Sequence, residues 1–130
     1  MANEPMNESK FLELLKERLP ELRQAIEEGP YNAFREFMRC AQRAIYDEDR
    51  ARLEICVRLA EETYLNGDKD LRSCIDTMFM EDLEFVTPRH SHYWAWEMIP
   101  DCLKELYVAF WGTWKVPEKP THVWKPPRRR

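Results

Sequence analysis

The stretch RARLEICVRLAEETYLNGDKDLRSCIDTMFMEDL, residues 50–83, most limits what this chain can fold into. Leu53, Cys56, Val57, Ala60 and Tyr64 recur at three- and four-residue steps, which puts them on one face of a helix. Leu71, Cys74, Ile75, Met78 and Phe79 repeat the pattern after Asn66-Gly67-Asp68. The spacing predicts a helical hairpin with one broad apolar side. Gly67 is expected to close the first arm in the left-handed conformation, and Asp68 to accept the free amides that open the second. Paired symmetrically about Gly67, Cys74 would face Ala60 rather than Cys56.

The flanking segments follow the same period. Ser9 is the expected cap of a first helix with Phe11, Leu12, Leu15 and Leu19 inward, and Pro20 is expected to break it. Leu22 and Ile26 keep the face beyond the proline, and Gly29-Pro30 ends the element. From Pro30 to about Tyr46, the stripe Phe34, Phe37, Met38, Ala41 and Ile45 predicts a core-facing helix. Asp47-Glu48-Asp49 then places negative charge at the start of the hairpin, where helix amides favour it. A short helix is expected from about Pro88 to Ile99. Pro100 opens a last one with Leu103, Leu106, Tyr107, Phe110 and Trp114 buried.

The fold class is therefore all-α: a bundle of five to seven helices in one domain over residues 1–114, followed by a proline-rich basic tail over 115–130. A chain of 130 residues buries roughly two-thirds of its unfolded surface, enough for a single core. The tail carries Pro117, Pro120, Pro126 and Pro127, which exclude a regular helix. Val116, Val123 and Trp124 are expected to hold it against the bundle as far as residue 124, leaving Arg128, Arg129 and Arg130 free.

Charge divides along the same line. From Lys115 onward three Lys and three Arg stand against one Glu, a net +5, so the overall −4 leaves −9 on the preceding 114 residues. Phosphate repulsion disfavours nucleic acid over that acidic body, while a basic protein suits it. No apolar run reaches the ~20 residues that span a bilayer, and MANEPMNESK lacks the basic and apolar parts of a signal peptide; a cytoplasmic protein is expected. Cys40, Cys56, Cys74 and Cys102 include no CxxC pair and are expected to be reduced, buried thiols.

Chemistry-bearing patterns are sparse. With only Gly29, Gly67 and Gly112 in the chain, a glycine-rich phosphate cradle is nearly excluded, and there is no GxSxG. His90 and His92, with Glu97, Asp101 and Cys102 in the same stretch, form the best metal or acid/base candidate. Yet two residues apart on a helix the histidines point to opposite sides, so neither metal nor cofactor is expected. Glu61, Glu62, Glu81, Asp82 and Glu84 surround the hairpin and suit a surface that attracts a basic partner. Trp94 and Trp111 are the aromatics expected to be left outside the core as partner anchors.

Residues 67–83, GDKDLRSCIDTMFMEDL, resemble a family of small, largely uncharacterised helical bacterial proteins in which a Gly-Asp turn precedes a helix ending in Phe-x-Glu-x-Leu-type residues. Gly67, Asp68, Leu71, Ile75, Phe79, Glu81 and Leu83 carry the match. The resemblance covers about half the chain. It implies an immunity-like protein that neutralises a cognate toxin. The reading is thus a non-catalytic binding module for a basic protein. A small metal- or histidine-dependent enzyme using His90, His92 and Glu97 and a self-associating structural subunit of a phage or secretion assembly are the alternatives.

Overall fold

A computed structural model of the chain describes residues 4–87 and 90–119. Among these residues there are seven α-helices and no strand, so the fold is the expected all-α bundle. They are α1 (Glu8–Arg18), α2 (Arg23–Glu27), α3 (Pro30–Tyr46), α4 (Arg50–Asn66), α5 (Lys69–Cys74), α6 (Tyr93–Met98) and α7 (Asp101–Trp111). The break at Pro20 is a 3-10 turn over Pro20–Leu22, and α3 begins on Pro30 as its first residue.

Helix α3 is the centre. Ala33, Phe34, Phe37, Cys40, Ala41, Ala44 and Ile45 are buried along it, a wider face than the predicted stripe, and Met38 sits at its edge, half-buried. Phe37 joins the layers: its ring lies 5.8 Å from Phe11 of α1 and 4.6 Å from Phe79 beyond α5. Phe11 in turn stacks on Phe34 at 4.5 Å. A second aromatic group, Phe85, Trp96 and Tyr107, closes the far end with mutual centroid distances of 5.2–5.4 Å.

The hairpin forms, with two differences in detail. Asp68 caps α5 as expected, its carboxylate accepting from the Leu71 amide at 2.9 Å. Gly67, however, is extended (φ −76°, ψ 160°), not left-handed. Glycine is needed there for space: a Cβ would stand 2.3 Å from the Thr63 carbonyl oxygen and 3.0 Å from Leu71 Cβ. The second arm is not one α-helix. After Cys74 it widens into a π-helical stretch, Ile75–Met80, ending with the Glu81 amide donating to Asp76 O at 3.1 Å. The wider turn rotates the face, so Phe79 and Met80 are both buried, while Cys74 and Met78, expected inward, are only half-buried.

Three further expectations are corrected. Asn7, not Ser9, caps α1, its side chain accepting from the Lys10 amide at 2.9 Å. The helix expected from Pro88 begins only at Tyr93; Val86 and Ser91 form an antiparallel bridge instead. β-Branched Val86 and Thr87 favour extended backbone, and a residue before proline is pushed away from the α region. In α7, Leu103 and Tyr107 are buried and Trp111 is half-buried, so the inward line runs in four-residue steps. Phe110, one position off that line, is 55% exposed. Trp114 is 73% exposed, because Gly112 (φ 76°) ends α7 and turns the chain into a 3-10 segment.

The tail meets the bundle at its start: Val116 packs on the core and Pro117 is buried. The expected docking to Trp124, and the free arginines 128–130, lie outside the described residues.

The close contact at Gly67 generates a stability prediction. Gly67→Ala forces the Thr63 carbonyl or Leu71 to shift and should cost about 1–3 kcal/mol, the usual range for overpacking. Urea denaturation of the two proteins checks this, and an unchanged midpoint would show that the turn opens at no cost.

Candidate functional site

Three helix starts meet at one cavity. The N-terminal segment is strapped to the hairpin turn: the Met6 amide donates to Asn66 O at 2.7 Å and the Asp68 amide to Met6 O at 2.8 Å. This sets the first turn of α1 beside the first turn of α5, and Pro30 and Tyr31 of α3 close the third side. The cavity, about 270 Å³, is lined by Glu8, Asp68 and Asp70 above an apolar wall of Phe34, Leu71 and Met78. Among the described residues no lysine or arginine lines it. Tyr31 stands at its edge, 66% exposed.

Each of these carboxylates also serves its helix. Asp68 is the cap of α5, and Glu8 and Asp70 lie in first turns, where negative charge offsets the helix dipole. Their combined field still reaches the cavity wall. The Cys74 thiol is pushed up by burial first and then by Asp70, Glu8 and Asp68. A negative potential that opposes a thiolate there favours a cation.

The five carboxylates singled out in the sequence occupy two separate places. Glu61 and Glu62 lie toward the turn end of α4, in a mixed-charge cavity of about 500 Å³ with Arg18, Ile55 and Arg58. Glu62 is ion-paired with Arg18. Glu81, Asp82 and Glu84 follow the second arm, at the opposite end of the hairpin. There the Glu81 carboxyl is raised by desolvation, then by Asp76 and Asp82. Gln42 of α3 holds the backbone of Glu84 on both sides, donating to its carbonyl at 3.0 Å and accepting from its amide at 2.7 Å.

Trp94 and Trp111 are both half-buried against the core. Arg50 covers the Trp94 ring at 4.6 Å. Trp111 donates its indole N–H to Glu81 O at 2.8 Å and carries Lys115 over its face at 3.7 Å. The more exposed aromatics are Tyr31, Phe110 and Trp114, which helical spacing alone had placed inside or left unremarked.

The histidines part company. His90 is exposed, whereas His92 is buried and its Nε2 has no partner among the described residues. Their rings lie 6.0 Å apart. The His92 amide donates to Phe85 O at 2.7 Å, which fixes the segment ahead of α6. Glu97 is exposed on α6, and Cys102 lies near Glu61 at the start of α7. Among the described residues no group of three or more His, Cys, Asp or Glu side chains is placed to hold a metal ion. No helix there is long and apolar enough to cross a membrane.

Sequence reasoning missed the Glu8–Asp68–Asp70 cavity. Asp68 is legible as a cap and Glu8 stands just before the expected start of the first helix, so only the Met6–Gly67 bridge reveals that they converge. Periodicity carries no signal for such a contact.

Burial of His92 makes stability depend on pH. Burial is the main cause that lowers its pKa, with His90 adding to it and Glu48 opposing. Above about pH 6.5, the ordinary imidazole value, both folded and unfolded chains hold it neutral. As pH falls below that, the unfolded chain takes up the proton while the folded chain resists, so stability is lost down to the lowered value. Urea unfolding at about pH 7.5 and about pH 5.5 should therefore show a smaller acid loss in His92→Phe than in the native chain. Equal losses would show that the ring titrates normally.

Comparison with curated proteins and with solved structures finds no match to either. A family model does match, over residues 12–112, from within α1 through α7 and its terminating glycine. By that match the chain belongs to DUF7674, a family defined by a domain of unknown function.

Proposed function

We propose that this chain is a non-catalytic binding module that occludes a basic site on a partner protein, in the manner of an immunity protein. The observation that carries the reading is the Glu8–Asp68–Asp70 cavity, which joins an acidic rim to an apolar wall and, among the described residues, has no basic one in its lining. A lysine or arginine side chain has the complementary form: its methylene stem suits Phe34, Leu71 and Met78, and its charged end suits the carboxylates. Tyr31, exposed at the edge, offers a ring face of the kind that concentrates binding energy.

The net charge of the body supports the reading, because a −9 surface speeds the approach of a cationic partner and weakens as salt rises. Glu81, Asp82 and Glu84 at the far end of the hairpin extend the acidic surface. Glu61, at the turn end and apart from that group, is a separate candidate contact, while Glu62 must first leave Arg18. Trp94 and Trp111 would act from half-buried positions through their exposed edges. Neutralisation on this reading needs only occlusion; no bond is made or broken.

The experiment is a tagged pull-down from the native host at low and then high salt, with mass spectrometry of the bound material. One basic protein should be recovered in near-equal amount and lost as salt rises. Glu8→Lys with Asp70→Lys leaves the Asp68 cap intact and should weaken that recovery roughly tenfold, the scale of like-charge contacts at an interface. Undiminished recovery by the double variant would remove the cavity from the binding surface, and recovery of no protein by the folded native chain would overturn the binding role itself.

A further inference from the structure

On the other side of α3 from the acidic cavity, two thiols touch. Cys40 of α3 and Cys56 of α4 lie with their sulfurs 3.9 Å apart, Cys56 donating its S–H to Cys40. Arg52, one turn before Cys56, donates from Nη1 to Cys40 Sγ at 3.6 Å. Cys40 forms part of the wall of a cleft of about 260 Å³ together with Arg39, Arg43, Arg52, Glu21 and Glu36. Its exposure is 8%, whereas Cys56 behind it is 0% exposed. One sulfur therefore faces a solvent cleft edged by three guanidinium groups, two of them ion-paired with Glu21 and Glu36, and the second sulfur backs directly onto it.

We infer that Cys40 and Cys56 are a reversible dithiol–disulfide pair, in which Cys40 meets a small hydroperoxide in the cleft and Cys56 resolves the product. In the first step the Cys40 thiolate attacks one peroxide oxygen. The S–O bond forms, the O–O bond breaks, and the departing hydroxide of hydrogen peroxide, or the alkoxide of an organic hydroperoxide, takes the thiol proton and leaves as water or the alcohol. In the second, Cys56 Sγ attacks the Cys40 sulfenic acid. The S–S bond forms, the S–O bond breaks, and the Cys56 proton leaves with the hydroxyl as water. Two electrons pass from the two thiols to the peroxide, and an external thiol reverses the change.

The order of the steps follows from access. Cys40 lines the cleft, whereas Cys56 is fully enclosed behind it, so a peroxide in the cleft meets Cys40 first. Closing 3.9 Å to a disulfide bond of about 2.05 Å needs side-chain rotation and a small approach of two helices already in contact. Hydrogen bonds from Cys56 and the nearby Arg43 charge lower the Cys40 pKa against the effect of burial, while the Cys56 thiol is pushed up by its bond to Cys40 and by burial. Cys74 and Cys102 differ from Cys40 at the first, peroxide-meeting step: burial and then neighbouring carboxylates push both thiols up. They serve as internal references, because a thiol held protonated reacts slowly.

The test treats the full chain with graded hydrogen peroxide, blocks remaining thiols, and maps peptides without reduction. A Cys40–Cys56 linked peptide should form before Cys74 or Cys102 is modified, and dithiothreitol should abolish it. In Cys56→Ser, Cys40 should instead accumulate as sulfenic acid and be captured by dimedone. Arg52→Gln should slow the linkage several-fold with the far-ultraviolet circular dichroism unchanged. Oxidation of Cys74 or Cys102 ahead of any Cys40–Cys56 linkage in the native chain, or linkage of Cys40 to either of them, would overturn the assignment. That mapping uses the native protein, so it decides the matter even where a variant folds poorly.

Discussion

The Phe37 ring sits where three elements must agree. It belongs to α3, touches Phe11 of α1, and stacks on Phe79 of the π-helical stretch. A ring of that size, wholly enclosed, fixes how closely α1 and the second hairpin arm can approach α3. The widened turn at Ile75–Met80 follows from the same demand. A regular α-helix from Asp68 would keep Leu71, Ile75 and Phe79 inward and leave Met80 a quarter-turn away; the extra residue per turn brings Met80 in and delivers Leu83 and Phe85 to the second aromatic group. The irregular arm is thus how one chain reaches both clusters.

The electrostatics of the bundle grow out of its capping. Asn7, Asp49 and Asp68 each accept from an amide three residues on, so three helices begin on a polar side chain that the local backbone requires. Because α1 and α5 start side by side, two of those beginnings pool their charge at one cavity. A surface that stabilises the fold and a surface that could recognise a cation are here the same atoms. Substitution of Asp68 would remove both functions together, which is why Glu8 and Asp70 separate them better.

Much of this was legible in the sequence. The buried positions of α1, α3 and α4 follow their three- and four-residue spacing nearly throughout, and Pro20, Pro30 and Asp68 mark the boundaries where the backbone changes. What escaped was set by contacts distant in sequence or by local irregularity. A π-helical turn shifts the face without altering composition, so Cys74 and Met78 looked as buried as Phe79. Gly112 ends α7 one turn early and leaves Trp114 outside a stripe that periodicity had carried through it. The left-handed turn expected at Gly67 is absent, and glycine is required there by a crowded carbonyl instead. Cys40 and Cys56 meet only because α3 and α4 are antiparallel neighbours in this register, and the pairing Cys74–Ala60 considered within the hairpin says nothing of that second interface.

Helix α3 separates two regions of different character. Its first turn, Pro30 to Phe34, walls the acidic cavity, and Glu36, Arg39, Cys40 and Arg43 further along wall the thiol cleft, where Arg52 adds a third guanidinium. On the proposed reading a cationic partner is drawn toward Glu8 and Asp70, whereas the thiol cleft offers it less, because Glu21 and Glu36 there are already paired with Arg52 and Arg39. Stronger attraction on one flank than on the other favours one orientation as well as encounter. The two regions lie on different faces of α3, so filling the cavity would leave the Cys40 cleft open to small molecules. Geometry that a bundle of this size can supply with one long central helix would therefore let the two surfaces act without obstructing each other.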